Sequence, residues 1–251
     1  MSKKRFQDKV AVVTGGNSGI GLAAAKAFAK EGARVAILGR DARTLAEAKA
    51  ALGADAIAVQ GDVANVADVQ RFIDAVVEKA GHIDALFVNA GIALFAPIEQ
   101  VNEDFFERQF ATNVKGAFFT IQRALPSMPR GSSIVLNSSA VVDLGMPNTS
   151  VYAATKAALA SFARSLSREL AARGVRLNVV KPGPIETPIF GRIGLSDDEV
   201  EAMARDIQSQ VPMERFGNAD EVAATVLFLA SDDASYVHGT SIHVDGGIAS
   251  L

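Results

Sequence analysis

Tyr152 and Lys156 are the two side chains whose types and spacing point most directly to chemistry. They stand four residues apart in an alanine-rich segment of helical spacing, so both lie on one face of the helix. A phenol has a pKa of about 10 and is a poor acid or base near neutral pH. A neighbouring ammonium stabilises the phenolate and brings that pKa toward the working range. The pair therefore predicts general acid/base catalysis, with a capped surface helix as the alternative.

Ser139 precedes Tyr152 by thirteen residues and follows the end of a predicted strand. A hydroxyl beyond the carboxyl end of a strand can hold a substrate oxygen, although a serine turn explains Ser139 better when it is taken alone. A hydrolase triad fits poorly, because the chain has no Gly-x-Ser-x-Gly motif and His82, His238 and His243 do not follow its order. The histidines also lack the spacing of metal ligands, so no metal site is expected.

A glycine-rich segment, Thr14–Gly21, lies where the first predicted strand turns into the first helix. Its spacing, G-x3-G-x-G, lets backbone N–H groups approach a pyrophosphate at the helix N-terminus. No Lys-Ser or Lys-Thr pair follows, which excludes the phosphate loop of nucleotide hydrolases. The segment predicts a dinucleotide site, and a glycine turn without function is the alternative.

Gly39 and Arg40 end the second predicted strand, about twenty residues past the glycines, where an NAD site places a carboxylate on the ribose 2′-hydroxyl. A guanidinium in that place can pair with a 2′-phosphate, which a carboxylate would repel. The sequence therefore predicts NADP(H) as the cofactor. A solvated surface arginine, for which the neighbouring Asp41 competes, is the alternative.

The elements that must position these groups alternate along the chain. Short apolar strands are predicted at 10–13, 34–38, 56–60, 85–89, 133–137, 175–180 and 241–244. Helices are predicted at 20–29, 42–51, 66–79, 102–126, 152–172 and 219–230. Strands that are apolar on both faces and separated by helices indicate a parallel sheet covered on both sides. This is a doubly wound Rossmann-type α/β fold of about seven strands.

No linker, repeat or low-complexity tract divides the chain, so residues 1–251 are expected to form a single domain. One segment, at about 184–212, departs from the alternation and is rich in proline, glycine and acidic residues. It follows the sixth strand, where the ligand crevice of such a sheet lies. The segment is therefore predicted to be a substrate lid.

Composition excludes several classes of function. The 251 residues carry a formal net charge of −3, 49% are hydrophobic and none is cysteine. A nearly neutral chain has no strong positive electrostatic potential that would attract nucleic acid. The lack of cysteine excludes thiol chemistry and metal sites with cysteine ligands. The basic start leads into an apolar run of only Val10 to Val13, too short for a signal or a membrane span. A cytoplasmic protein without nucleic-acid or membrane partners is expected.

Further motifs recur in the order and spacing of a known family. The matching residues are Thr14 to Gly21, Gly61-Asp62-Val63, Asn89-Ala90-Gly91, Asn113, Ser139, Tyr152, Lys156, Pro182-Gly183 and Val244-Asp245-Gly246-Gly247. With them the chain resembles, from end to end, the compact branch of the short-chain dehydrogenase/reductase family. The Gly39-Arg40 strand end is most similar to that of its NADPH-dependent alcohol dehydrogenases and carbonyl reductases.

The resemblance implies catalytic roles for four residues. Tyr152 would be the acid/base, and Ser139 would position the carbonyl or alcohol oxygen. Lys156 would bind the nicotinamide ribose and lower the pKa of Tyr152, while Asn113 would hold a water that relays protons to solvent. The residues implied in cofactor binding are Gly15, Asn17, Ser18, Gly19, Ile20, Gly21, Arg40, Asp62, Val63, Asn89, Ala90, Gly91, Tyr152, Lys156, Pro182, Gly183, Ile185 and Thr187.

The expected reaction is hydride transfer between NADP(H) and a ketone or secondary alcohol. Apolar side chains beside the motifs suggest an apolar or aromatic ketone, with core packing as the alternative. These candidate pocket residues are Leu94, Phe95, Val141, Leu144, Met146, Ile189 and Phe190. Two positions depart from the family: Asn17-Ser18 is neutral where many NADPH-preferring members carry a basic residue, and Lys181 stands where a smaller or neutral residue is common.

Two other functions stay open. A non-catalytic protein that senses NADP is one, although it would not need Ser139, Tyr152 and Lys156 together. A 3-oxoacyl-acyl-carrier-protein reductase shares every motif and would add a basic docking patch. Residues that could contribute to this patch are Arg123, Arg130, Arg168 and Arg173.

The resemblance also implies a homotetramer, in which the helices at about 114–125 and 152–172 pack against symmetry mates. The sequence permits this, because one helix carries small side chains that allow close packing and the other presents apolar side chains. The positions concerned are Ala153, Ala157, Ala160 and Ala163 in the helix with small side chains, and Val114, Phe118, Ile121 and Leu125 in the apolar one.

Overall fold

The computed structural model describes residues 4–187 and 204–249. Within these ranges seven strands form one sheet in the order β3-β2-β1-β4-β5-β6-β7, and every neighbouring pair is parallel. The strands are β1 Val10–Thr14, β2 Arg34–Gly39, β3 Ile57–Gln60, β4 Ala85–Val88, β5 Ser133–Asn137, β6 Arg176–Pro182 and β7 Ser241–Val244. The predicted doubly wound α/β fold is confirmed.

Helices connect the strands and begin at polar residues. They are α1 Gly19–Lys30, α2 Ala42–Leu52, α3 Val66–Ala80, α4 Glu103–Phe110, α5 Gly116–Ala124, α6 Ser150–Ala171 and α7 Ala219–Ala230, and residues 204–209 are also helical. The side chains of Asp41, Asn65, Asn102 and Asn218 accept backbone N–H groups at the starts of α2, α3, α4 and α7. These caps accept backbone N–H groups that have no partner within the helix, and they thereby fix the residue at which each of these helices begins.

A hydrophobic layer packs on each face of the sheet. In β5, Ile134 and Leu136 pack into one core layer with residues of α3, α5 and α6, whereas Val135 packs into the opposite layer with residues of α1 and α7. Strand residues alternate between faces, so a sheet covered on both sides has no interior position for an unpaired polar group. Polar chemistry is thereby confined to the strand ends.

The chain places several strand ends at one edge. β1 lies between β2 and β4, so the direction of the crossovers reverses there, and such a reversal opens a crevice beyond the carboxyl ends of the strands. Gly15 follows β1, Asn89 follows β4, Ser139 follows β5 and Gly183 follows β6. The fold therefore gathers the sequence motifs at a common edge.

The helix predicted at 102–126 is present from Glu103 to Ala124, but a wide π-helical turn, Ala111–Lys115, interrupts its α-helical geometry between α4 and α5. Asn113 lies in this turn. Its Nδ2 donates to the carbonyl of Ile92 at 2.9 Å, and its Oδ1 accepts from the N–H of Ile92 at 2.9 Å. The widened turn accompanies this pairing with the chain after β4, and π-turns often occur at functional sites.

The predicted lid at about 184–212 lies partly outside the described residues. At its start, Ile185 forms an isolated parallel bridge with Gly217. Among the residues that the structure describes, no helix is long and apolar enough to cross a membrane. The cytoplasmic location stays a prediction.

Candidate active site

A cleft of about 390 Å³ opens along the carboxyl ends of β1, β2, β4, β5 and β6. Every residue predicted to bind the cofactor lines it, as do Ser139, Tyr152 and Lys156 of the predicted catalytic group. Asn113 lies behind the wall and is buried. Across the described ranges, no cluster of three or more histidine, aspartate or glutamate residues is placed to hold a metal ion.

The glycine-rich segment forms a cradle at one end of the cleft. Gly15 and Gly19 have φ values of +66° and +51°, in the left-handed region that favours glycine. A Cβ on Gly21 would overlap the carbonyl oxygen of Gly15 and lie 2.5 Å from Nδ2 of Asn89. Ser18 begins α1 without a side-chain cap, which leaves the first N–H groups of the helix to a ligand. This cradle fits the pyrophosphate of a dinucleotide.

A chain of amides connects the cradle to Lys156. Asn89 Nδ2 donates to the carbonyls of Thr14 and Gly15 at 3.0 and 3.3 Å. Asn137 Nδ2 donates to Asn89 Oδ1 at 2.8 Å, and the backbone carbonyl of Asn137 accepts from Lys156 Nζ at 2.8 Å. The glycine loop and the lysine are therefore held in one hydrogen-bonded frame that crosses three strand ends.

Tyr152, Ser139 and Lys156 meet on one wall of the cleft. The Nζ of Lys156 lies 5.8 Å from the centroid of the Tyr152 ring. Burial raises the pKa of Tyr152, and a hydrogen bond with the Ser139 side chain lowers it. Burial lowers the pKa of Lys156 to about 8, so the ammonium is still mostly charged at neutral pH. In the protein alone, burial thus outweighs the lowering of the Tyr152 pKa that was expected from Lys156.

Asn113 supports this wall from behind. Besides its pair with Ile92, its Nδ2 donates to Thr155 Oγ1 at 3.0 Å in α6. Gly91 separates Asn113 from Lys156: a Cβ there would lie 3.2 Å from Asn113 Oδ1 and 3.3 Å from Lys156 Nζ. A Cβ here would be tighter than an ordinary contact, so a side chain at position 91 would displace Asn113 or Lys156 by a few tenths of an ångström.

Arg40 lies at the far end of the cleft, beyond β2. Its guanidinium is 58% exposed, and Nη1 lies 3.6 Å from Oδ2 of Asp62. Beside it, Asn17 Nδ2 donates to Thr44 Oγ1 at 2.8 Å. A Cβ on Gly39 would lie 2.5 Å from Oδ1 of Asn17. The asparagine thus occupies the space that an acidic side chain at the end of β2 would need.

Only some of the predicted apolar pocket residues line the cleft. Phe95 lies edge-on to Tyr152, with ring centroids 5.7 Å apart. Leu94 is half-buried and is not among the residues that line the cleft, and its N–H donates to Oε1 of the buried Gln109 at 3.1 Å. Those of the set that do line the cleft are Phe95, Val141, Leu144 and Met146. Ile189 and Phe190 lie outside the described residues.

Other lining residues were not assigned to the site from the sequence, although Gly39 and Gly61 belong to its motifs and Pro184 and Ile207 lie in the predicted lid. They are Leu38, Gly39, Asp41, Thr44, Gly61, Ile92, Ala93, Thr112, Asn137, Ser138, Ala140, Thr149, Pro184, Ile207 and Ile248. Asn137 could have been found, since an amide that ends an otherwise apolar strand is a signal. Ile207 belongs to the segment predicted to be a lid, whereas Ile248 could not have been found, because only the folded chain brings the last residues to the cleft.

A parallel sheet with a phosphate cradle at its switch point and a Ser-Tyr-Lys group beside it defines a dinucleotide-dependent oxidoreductase. A family model described as enoyl-(acyl carrier protein) reductase matches residues 15–249. The chain belongs to the short-chain dehydrogenase/reductase family.

Relatives of similar length support this assignment. The chain is 41% identical over 250 residues to "Oxidoreductase asL5" of Sarocladium schorii, covering 99% of this chain and 98% of the relative. It is 39% identical over 246 residues to a 3-oxoacyl-[acyl-carrier-protein] reductase of Staphylococcus aureus, covering 96% and 98%. The matches therefore run across nearly the whole of both proteins.

Solved structures agree in fold and point to the type of cofactor. Levodione reductase superposes with a TM-score of 0.94 at 33% identity, covering 98% of this chain and 100% of that one. A metagenomic blue fluorescent protein in complex with NADPH gives 0.90 at 35%, covering 98% and 100%. A Brucella melitensis 3-ketoacyl-(acyl-carrier-protein) reductase complexed with NADH gives 0.89 at 30%, covering 97% and 99%. These similarities support a nicotinamide dinucleotide as the cofactor.

Gly21→Ala tests the cradle. The added methyl group has no space between the Gly15 carbonyl and Asn89, so the loop must shift. We expect the Kd for NADPH, measured by isothermal titration calorimetry, to rise at least about tenfold, a loss of about 1.4 kcal/mol. Gly145→Ala is the matched control, because no atom lies within 4 Å of its added Cβ. An unchanged Kd for Gly21→Ala would contradict the cradle.

Proposed function

We propose that the protein is an NADP(H)-dependent oxidoreductase that interconverts ketones and secondary alcohols. The observation that carries the proposal is the convergence of Ser139, Tyr152 and Lys156 on the cleft that contains the glycine cradle. A protein that only senses NADP needs the cradle but not the three side chains. Their convergence therefore favours an enzyme.

Ser139 and Tyr152 would hold the substrate oxygen. Ser139 Oγ accepts a hydrogen bond from the N–H of Val141 at 3.3 Å, and its hydroxyl, which forms a hydrogen bond with Tyr152 in the protein without substrate, would turn its proton to the substrate oxygen. The bound cofactor supplies the hydride for the carbonyl carbon. Tyr152 gives its proton to the substrate oxygen as negative charge develops there, and the ammonium of Lys156 stabilises the remaining phenolate. In alcohol oxidation the phenolate removes the proton.

Asn113 would connect this proton transfer to solvent through a water molecule. Both side-chain protons of Asn113 are committed, one to Ile92 and one to Thr155. A relay water at Asn113 must therefore donate to an oxygen atom of this residue. Gly91 keeps the space between Asn113 and Lys156 free of a side chain, which suits such a relay.

Arg40 would make the cofactor NADP(H) rather than NAD(H). Its pair with Asp62 is exposed and long at 3.6 Å, so breaking that pair to bind a 2′-phosphate costs little. Asn17, bonded to Thr44, occupies the space in which an acid at position 39 would repel the phosphate. Asn17 and Ser18 add no second positive charge, so the preference rests on Arg40.

Arg40→Ala tests this preference. A charge-assisted hydrogen bond contributes about 1.5 to 3 kcal/mol, or roughly 10- to 150-fold in affinity. We expect wild type to favour NADPH over NADH by at least tenfold in kcat/KM, and Arg40→Ala to lose most of that ratio. Arg43→Ala, which removes a neighbouring exposed arginine paired with Glu47, is the control. Equal use of both cofactors by wild type would overturn the NADP assignment.

The substrate would be an apolar or aromatic ketone. Phe95 and Leu144 present apolar surface to the wall on which Tyr152 lies, and Met146 extends it. No lysine or arginine among the described lining residues other than Lys156 and Arg40 is available to bind a charged substrate. An apolar carbonyl compound is therefore preferred over a sugar or an acid.

A 3-oxoacyl-acyl-carrier-protein reductase is the second candidate, favoured by the similarity to reductases of that name. Of the basic residues that could dock the carrier, Arg130 and Arg173 donate to the carbonyls of Ala172 and Leu125. They precede β5 and β6 and so lie at the sheet edge opposite the cleft of the same chain. A carrier docked there would not face this cleft. A rate comparison between a 3-oxoacyl thioester and aryl ketones separates the candidates.

Tyr152→Phe tests the mechanism. Wild type should oxidise NADPH when supplied with aryl ketones, followed at the NADPH absorbance band. Removal of the phenolic proton should lower kcat by about 10²- to 10⁴-fold, while the Kd for NADPH stays unchanged. Tyr236→Phe is the matched control, because Tyr236 is the other tyrosine and is fully exposed. Retained activity in Tyr152→Phe would refute the assignment.

Assembly into a homotetramer stays part of the proposal, with a changed contact surface. Ile121, Ala160 and Ala163 are buried within their own chain and cannot form the expected contacts. The accessible apolar surface is instead a groove between α4, the π-turn, α5 and α6. The groove is lined by Phe106, Glu107, Phe110, Ala111, Val114, Lys115, Phe118, Phe119 and Phe162.

Light scattering at micromolar concentration checks the assembly. We expect a particle of four chains, because an exposed phenylalanine-rich groove is stabilised when a partner covers it. Phe106→Glu should shift the particle toward smaller species, since it places a charge where Phe106 and Phe110 stack with centroids 4.4 Å apart. A wild-type particle of 26.2 kDa, the mass of one chain, would contradict the tetramer.

A further inference from the structure

Asp143, Lys181 and His243 form a charged cluster beside the cleft, here called the Asp143 clamp. One carboxylate oxygen, Oδ2 of Asp143, accepts from Lys181 Nζ at 2.6 Å and contacts His243 Nε2 at 2.9 Å. The Lys181 side chain is only 10% exposed. A buried ammonium is costly unless it is paired, so the lysine depends on Asp143. The pairing in turn holds the pKa of Asp143 below its usual value, against the opposing effect of burial.

The sheet supplies the two partners of Asp143, an ammonium and an imidazole, from adjacent strands. Lys181 in β6 lies directly beside His243 in β7 in the parallel register. The strand residues before them, Val180 and Ile242, pack into the layer with α1 and α7. Lys181 and His243 therefore point to the opposite face, toward α6. A departure from the family at position 181, unexplained from sequence, thus has a specific partner.

Asp143 ends the short turn that carries Ser139. This turn is a single 3₁₀ helix, Ala140–Asp143, and Ser139 begins it by accepting the N–H of Val141. Residues 144–149 follow without regular structure before α6. Within the described residues, the hydrogen bonds that tie 140–148 to distant parts of the chain are those of the Asp143 clamp and one from the N–H of Ala96 to the carbonyl of Asn148.

None of the three clamp residues lines the cleft, whereas Ser139, Val141 and Leu144 on the same segment do. The clamp therefore touches neither substrate nor cofactor. Its effect on the cleft must pass through the turn, whose first residue is Ser139 and whose last is Asp143. One turn of 3₁₀ helix joins Ser139 to Asp143, so we expect a shift of Asp143 to be passed on to Ser139.

We propose that Asp143, held by Lys181 and His243, is a positioning residue that fixes the Ser139 hydroxyl and the adjoining substrate wall against the ends of β6 and β7. The inference rests on the proposed function, because it assigns Ser139 its role in catalysis. Ser139 also lowers the pKa of Tyr152 through their hydrogen bond. Release of the turn should therefore change both the rate and its dependence on pH.

The test uses Asp143→Asn together with Lys181→Met, in the full chain. Asp143→Asn alone leaves a buried ammonium without a counter-charge and can prevent folding, whereas the double variant removes both charges. We expect kcat for ketone reduction to fall about 10- to 100-fold, as for a small displacement of a positioned group, with the Kd for NADPH within twofold of wild type. In alcohol oxidation the acid limb of the pH–kcat profile should move to higher pH, because the phenolate form is lost when Ser139 no longer lowers the Tyr152 pKa.

Two further variants distinguish positioning from general stability. Lys181→Arg keeps the charge pair and should keep kcat within about threefold of wild type. Asp84→Asn is the matched control: Asp84 contacts His82 Nε2 at 3.0 Å and Lys9 Nζ at 3.9 Å, at the opposite edge of the sheet. It should lower the melting temperature without moving the pH profile. A double variant with an unchanged kcat and profile overturns the proposal.

Amide hydrogen exchange of residues 140–149 gives a readout that does not need activity. We expect exchange in this segment to accelerate at least about tenfold in the double variant, because local opening becomes easier by about 1.4 kcal/mol or more. Unchanged exchange overturns the clamp. A wild type that reduces no ketone or thioester overturns the proposed function instead, so the two failures are distinguishable.

Discussion

The buried ammonium of Lys156 is the constraint on which the site depends. A charged amine inside a protein requires close partners, and Lys156 donates to the backbone carbonyl of Asn137 at 2.8 Å. That carbonyl is in place because β5 is fixed between β4 and β6. The Asn137 side chain then continues through Asn89 to Gly15. One frame thereby sets the phosphate cradle and the reacting wall at a fixed distance, which a ligand that spans both must match.

The sheet could be predicted from the sequence because its two dry faces impose long apolar runs. β5, Ser133–Asn137, was found with its bounds, and the order of glycines and strand ends located the cleft. The π-turn could not be predicted from the sequence. One extra residue in a helical turn moves the following apolar residues by only one position, which the helical spacing does not reveal. Leu94 was misplaced because irregular chain has no period that shows which side faces inward. The contact of Lys181 with Asp143 joins the end of β6 to the turn after β5, and the pairing of β6 with β7 places His243 beside it; no local pattern shows either contact.

Two different interactions hold the two ends of the cleft in place. The cradle is rigid through glycine, since the Gly15 carbonyl and Asn89 fill the space around Gly21. The wall of Ser139 is held by the ion pair between Lys181 and Asp143, with the His243 ring on the same carboxylate oxygen. Steric exclusion does not depend on solvent, whereas a partly exposed ion pair weakens as salt screens it. The two ends of one cleft therefore respond differently to ionic strength.

The parallel sheet also bears on how the site comes into being during folding. β1 pairs with β2 and with β4, so residues near Val12 meet partners near Ala36 and near Leu86. No neighbouring strands are joined by a hairpin within the described residues, and each pairing closes a long loop before its contacts form. Gly15 follows β1, Asn89 follows β4 and Asn137 ends β5, so these residues come together only when the three strands pair. A fragment that ends before β5 would lack Asn137 and Lys156, so the hydrogen-bonded frame that joins the cradle to the reacting wall can form only after β5 has paired.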